Sequence, residues 1–396
     1  MYDIVGKYNT ARVFAVSVDS ESYAQVLRMC NVEELRDSVI RMMPDMHASQ
    51  GCTVGTSMTV GEKLNPAYVG SDIGCGMQVY KLEDNTVSLP ALDDAVRELV
   101  PSGAALYPRA NPIIKKVDIQ SLYAFPVLRH DTVSRSIGTL GGGNHFIELD
   151  KSVDGEYYLV IHSGSRRLGK DVALYHQKMA FFTTHGITPE EVAKKRMRVS
   201  DVKSRLIPSQ CFLSGEYKAR YLHDMNIAVK YAEVSRKHMG ELIIARLGLK
   251  VSESFTTVHN YIDTERSILR KGAVSAQEGE KLIIPINMRD GSLICVGKGN
   301  PDWNYTAPHG AGRVLKRSDA KATVTLEEYR EAMKGVYSTS VNESTIDESP
   351  MAYRSMDDIY NTVDPTAAVT DIITPVYNFK ASRAEAIDEE TADGED

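Results

Sequence analysis

Five short glycine-rich segments, each carrying a histidine, a cysteine or an acid, punctuate this 396-residue chain and restrict what it can become. They read MPDMHASQGCTVGT (43–56), VGSDIGCGM (69–77), GTLGGGNHFIEL (138–149), LVIHSGSRRLG (159–169) and APHGAGR (307–313). A sixth, TTVHNYI (256–262), lacks glycine but sets a histidine at the end of a strand-like run. Glycine tolerates sharp turns and lets backbone come close to a ligand. Loops of this kind therefore present polar groups from a rigid scaffold, which is where sites are usually built.

Between these loops the hydrophobic pattern predicts strands at 12–16, 77–82, 157–161, 281–286 and 292–296, the last two joined by a hairpin turn at Asp290-Gly291. Helical spacing marks 92–99, 171–180, 326–333 and a long run at 216–247. In the long run Tyr217, Tyr221, Met225, Ala228 and Ala232 share one face, so those aromatics read as core. The elements alternate without the regular beat of a doubly wound sheet. This predicts an α+β fold, one large domain over 1–384 with central sheets flanked by helices and a helical insertion at about 170–250.

The chain carries a net charge of −7, which on its face disfavours a polyanionic partner. Seven of the acids and one arginine fall in the last sixteen residues, so the body carries only −1. The acidic end, 385–396, is predicted to be a disordered tail because it has little apolar surface to offset its ordering entropy. Bases cluster at Lys194, Lys195, Arg196, Arg198, Lys203 and Arg205, and again at Arg313, Lys316 and Arg317; each cluster suits phosphate or an ordinary solvated face. Five separated cysteines without a C-x-x-C pair are no disulfide framework and suit a reducing compartment, so a cytoplasmic protein is expected. No run approaches the ~18 apolar residues of a membrane span, and the first residues lack a signal-peptide pattern.

The chemistry-bearing residues have their own logic. Asp72 and Cys75 are three apart with glycines flanking the thiol, so both can face one centre. His145, His162 and His259 each border a glycine-rich or strand-like segment. A carboxylate, a thiolate and imidazoles form a mixed hard and soft donor set that takes manganese, iron, cobalt or zinc. Each residue alone reads as structural; together they read as a metal site. His309 lies among small residues ahead of a helix-compatible run to Lys321, where a neutral imidazole could attack phosphorus or merely occupy a tight turn.

These segments, in this order from 43 to 382, strongly resemble the RtcB family of RNA-splicing ligases. GSDIGCGM, GTLGGGNHFIEL, HSGSR, HNY, NPDWNYTAPHGAGR and the late NFK carry the likeness together. The resemblance implies two Mn2+ ions, with Cys75 bridging them and Asp72, His145, His162 and His259 completing the ligand set. It implies GTP as cofactor and His309 as the nucleophile that becomes guanylylated. The nucleotide would be held by Asn144, His145, Phe146, Ile147 and Glu148, by His259 and Asn260, and by Pro285, Ile286, Asn287, Met288 and Ser292 of the hairpin. His309, Gly310, Ala311 and Gly312 would add to it, and Lys380 would close on the guanine. Asp45 resembles a further acid near the metal centre, and Arg166, Arg167, Arg313 and Arg317 are candidates for RNA phosphate.

The implied reaction joins RNA 3′-phosphate or 2′,3′-cyclic phosphate ends to 5′-hydroxyl ends, in tRNA splicing or RNA repair. Ser71, Lys316 and the 48–51 stretch depart from the family pattern and point to a divergent branch. Nothing calls for more than a monomer, and the likeness leaves room for an activating protein partner. Two other readings use the same residues: a metal-dependent phosphohydrolase, which has no need of His309 or Lys380, and a catalytically silent RNA-binding relative.

Overall fold

Alternation along the strands decides the layout. In a seven-stranded antiparallel sheet the order is Lys281–Asn287, Gly291–Gly297, Ala367–Phe379, Phe146–Ser152, Tyr157–Ser163, Gly76–Leu82 and Val251–Val258. Successive side chains face opposite sides. Tyr80, Leu82, Ile147, Leu149, Leu159 and Ile161 thus pack against Met239 and Ile243 of the helix Gly215–Leu247, while Met77, Val79, Phe146, Tyr158 and Val160 form a second core on the other face. Both faces are apolar, so the runs read as strands without a polar side.

A mixed six-stranded sheet runs Tyr2–Val5, Thr10–Val13, Ile40–His47, Val54–Thr59, Ile268–Lys271, Asn260–Asp263, and a two-stranded pair joins Ala273–Ser275 to Thr306–Pro308. The computed structural model describes residues 1–84 and 86–381, and they form an α+β domain. The tail expected from 385 lies outside them. No helix among the described residues is long and apolar enough to cross a membrane.

Most expected elements are present with shifted ends. The strand expected at 12–16 stops at Val13, because Phe14 turns out to stack on Trp303 with ring centroids 3.7 Å apart. The helix expected at 171–180 spans Arg166–Thr184. The hairpin turn spans 288–290, one place earlier than expected, and Gly291 opens the next strand at φ +85° with no room for a Cβ against the Ile373 carbonyl. Between the strands ending at Ser163 and beginning at Val251, the described chain is largely helical.

The long helix does more than cover the sheet. Tyr221, Met225, Ala228 and Ala232 are fully buried along it, with Tyr217 at the edge, and the helix ends at Gly248 in the left-handed region. A Cβ on Gly74 would come within 2.8 Å of Val229 Cα, so the helix rests directly on the loop before Cys75.

Candidate metal centre and the histidine beside it

Strand register assembles the site. Gly76 pairs with both Ser163 and Val258, and Phe146 pairs with His162. The residues at or next to those positions, Cys75, His145, His162 and His259, consequently gather at one edge of the seven-stranded sheet. Backbone bonds then pass the arrangement on. His259 N donates to Cys75 O at 2.9 Å, and Ala273 N donates to His259 O at 3.3 Å. Ala273 in turn pairs with Pro308, the residue before His309.

Cys75 Sγ lies 3.3 Å from His162 Nε2 and 3.5 Å from His145 Nε2, and all three residues are buried. His259 Nε2 is 3.3 Å from His162 Nε2, and Asp72 Oδ2 is 3.2 Å from His145 Nε2. The Nδ1 atoms of His145 and His162 face the carbonyls of Leu140 (3.0 Å) and Asn144 (3.1 Å). Those carbonyls assign the proton to Nδ1 and leave the Nε2 lone pairs facing the sulfur, the usual orientation of metal-bound imidazoles. Burial first, and the charges of neighbouring groups second, push His162 and His259 well below the ordinary imidazole value, so both are neutral at pH 7.

Burial alone would raise the Asp72 carboxyl, but a His145 imidazolium, while no cation takes up the Nε2 lone pair, holds it down to about 2. Burial, then Asp72, raises the Cys75 thiol well above its ordinary value, so a bound cation has to displace its proton. Cys75, His145 and His162 bring their donor atoms within 4.8 Å of one another and fit a divalent transition ion, while Asp72 adjoins His145 and His259 adjoins His162 at the margin of that group. A Cβ at Gly164 would overlap the Asp72 carboxylate. Gly164→Ala is therefore expected to swing Asp72 aside and weaken cation binding about 10–100-fold at near-normal thermal stability. A cobalt titration beside a melting curve checks this; unchanged affinity would remove Asp72 from the ligand set.

Arg236, fully buried on the long helix, donates from Nη1 to Gly74 O (2.8 Å) and Ser163 O (2.7 Å). It thereby holds together the loops that carry Cys75 and His162. In the sequence it occupies the same stripe as Met225, Ala228 and Ala232, and a charge on an apolar stripe was the available signal of its role.

His309 stands beside the cluster, its ring centroid 4.8 Å from that of His259. Asp45 Oδ2, fully buried, accepts from His309 Nδ1 at 2.7 Å and from the amides of His309 and Gly310 at 3.2 Å. The proton belongs on Nδ1, which leaves Nε2 as the free nucleophilic atom. The helix expected to follow this turn begins only at Arg317, so those two amides meet a carboxylate rather than sitting at a helix start. Gly312, at φ +75°, leaves no room for a Cβ against the Asp45 carbonyl, and a Cβ at Gly310 would lie 3.2 Å from Pro285 O.

The other named positions divide by face. Phe146, Glu148 and His162 share the side of the sheet that carries the second core, whereas Ile147 points into the core beneath the long helix, leaving its backbone alone near the site. Ile286 and Met288 are likewise buried among apolar neighbours, the latter against Tyr329. Asn287 caps its own hairpin turn through Asp290, and Ser292 is fully buried. Asn260 donates to Asp72 O and accepts from Gly272 N, tying the loop at Asp72 to the turn at Gly272. Lys380 Nζ lies 3.5 Å from Asn144 O and 5.4 Å from the Phe146 ring centroid. Arg167 is committed to Asp171 at 2.8 Å in a largely buried pair, and Arg166 bonds to Gly103 O. The six bases from Lys194 to Arg205 are all exposed.

A family model described as tRNA-splicing ligase RtcB matches residues 25–123 and 126–381. The chain belongs to the RtcB family. The RNA-splicing ligase RtcB of Escherichia coli K12 is 30% identical over 382 residues, covering 86% of this chain and 88% of that protein. The tRNA-splicing ligase RtcB of Aeropyrum pernix is 27% identical, covering 80% and 82%, and the RNA-splicing ligase RtcB of Mycobacterium bovis is 24% identical, covering 80% and 90%. For this RtcB family member the matched span includes every residue of the cluster, His309 and Lys380.

Proposed function

We propose that this chain is an RNA ligase that joins RNA 3′-phosphate or 2′,3′-cyclic phosphate ends to 5′-hydroxyl ends, consuming GTP through a guanylylated His309. The observation that carries the reading is His309 itself. Its Nδ1 is fixed on Asp45, its Nε2 is free, and it adjoins a buried Cys–His cluster. Cys75, Asp72, His145, His162 and His259 would hold two Mn2+ ions, which when bound supply charge neutralisation for the triphosphate and the leaving pyrophosphate. The matched relatives carry the name of RNA ligases, and a metal-dependent phosphohydrolase has no need of a guanylylatable His309 or of Lys380.

In this scheme a cyclic end is first hydrolysed to a 3′-phosphate. His309 Nε2 then bonds to the α-phosphorus of GTP as the bond to pyrophosphate breaks. The RNA 3′-phosphate takes the GMP, breaking the P–N bond and releasing the imidazole. The RNA 5′-hydroxyl attacks that activated phosphorus, loses its proton and expels GMP. Burial raises the Glu148 carboxyl to about 7, against the pull of Asn378 and Lys380, and a carboxylate there would accept hydrogen bonds from the guanine edge.

The deciding assay offers RNA with a 3′-phosphate and RNA with a 5′-hydroxyl, with manganese and either GTP or ATP. Joined product with GTP alone is expected. Release of inorganic phosphate without joining would replace the ligase with a phosphohydrolase, and binding without turnover would leave a silent RNA-binding relative. Asp45→Asn should slow adduct formation about 10²–10⁴-fold, because the wrong tautomer then occupies Nε2, with metal content unchanged. Normal adduct formation in that variant would relegate Asp45 to packing.

A further inference from the structure

Three cations from two regions of the chain converge on one carboxylate to which the family likeness attaches no role. Glu348 closes the short turn Glu343–Glu348 and is 3% exposed. Lys380 Nζ meets its Oε2 at 2.9 Å, Arg313 Nη1 lies 3.4 Å from its Oε1, and Arg317 Nη1 bonds to the same oxygen. The Tyr353 hydroxyl donates to Oε2 at 2.7 Å and also receives Arg313 Nη1 at 3.1 Å. Arg317 bonds a second acid, Asp347, at 2.7 Å. Three cations against two carboxylates leave this inner group with a surplus positive charge, which suits an anionic end. Lys380 meanwhile reaches to Asn144 and Phe146 on the nucleotide side, and Arg313 follows His309 by four residues.

We propose that Glu348 is a positioning residue that couples nucleotide recognition to RNA-end recognition, holding Lys380 for the guanine and Arg313 with Arg317 for the RNA 3′-phosphate as one array. The proposal rests on the guanylylation reading above. Without the shared carboxylate, three like charges repel at short range in a poorly solvated setting, and neither the ammonium nor the guanidinium groups keep their places. Deletion should therefore be felt at both ends of the site.

The test uses the full chain with manganese, measuring KM and kcat for adduct formation with GTP and KM for RNA carrying a 3′-phosphate. Glu348→Gln is expected to raise both KM values at least about tenfold while kcat for the adduct stays within about threefold. Glu348→Asp should recover part of each. Lys380→Ala should raise the KM for GTP alone, and should add little to it in the double variant with Glu348→Gln. If Glu348→Gln does not fold, Glu348→Asp carries the same comparison with smaller shifts in both KM values. Unchanged KM values, a rise in only one, or a fall in kcat alone would overturn the proposal while wild-type labelling upholds the guanylylation reading. A wild type that takes no label from GTP sinks that reading and this inference with it.

Discussion

His309→Ala is expected to acquire no label from GTP carrying a labelled α-phosphate, while the parent protein retains label through denaturation. The loss should be about 10⁴-fold or more, since an absent nucleophile leaves only binding and electrostatic effects. The geometry restricts the choice of nucleophile. His145 and His162 direct Nε2 at the Cys75 sulfur and His259 directs its own at His162, whereas His309 has Nδ1 on Asp45 and its other nitrogen uncommitted. His309 is a surface-reaching side chain, about 17% exposed, so its truncation should leave both the fold and the metal content intact. Label that persists in the variant, stable to denaturation, would move the covalent step to another residue.

Cys75→Ala should produce the second large effect, with metal content, adduct formation and joining falling together. The sulfur is the only thiol in the cluster and lies within 3.5 Å of two imidazole nitrogens. Its loss takes away the one soft, anionic donor. Metal analysis after dialysis, paired with a cobalt titration, reads the outcome directly: wild type should show a thiolate-to-cobalt absorption band that the variant lacks. A variant that keeps its full metal content and its adduct would make Cys75 a packing residue. The two substitutions separate the roles, because His309→Ala should keep the band that Cys75→Ala abolishes.

How much of this was legible can be argued residue by residue. The glycine-rich loops were legible as turns, since a position that demands φ > 0 or a missing Cβ leaves a local trace, as at Gly74 and Gly312. The strands at 77–82 and 157–161 and the long helix were readable because their apolar spacing is local. Ile147, Ile286 and Met288 show the limit. A motif names consecutive residues, but the two-residue period of a strand turns Ile147 and Ile286 into the core, and the turn that follows buries Met288 against Tyr329. Asp45 read as a nearby acid of uncertain task, for its partner His309 is 264 residues away. Glu348 carried no signal, as its three cations come from chain regions distant from or merely adjacent to its own turn.

The sequence by itself determined the donor types, the turns that carry them, the α+β alternation and the RtcB likeness, because each follows from neighbouring residues. Only the tertiary structure decided which donors meet. The pairings of Gly76 with Ser163 and Val258, and of Phe146 with His162, bring the Cys75, His145, His162 and His259 side chains to one sheet edge. Strand register is a long-range property, set by which apolar faces bury together, and a shift of one residue would have turned those side chains to the opposite face.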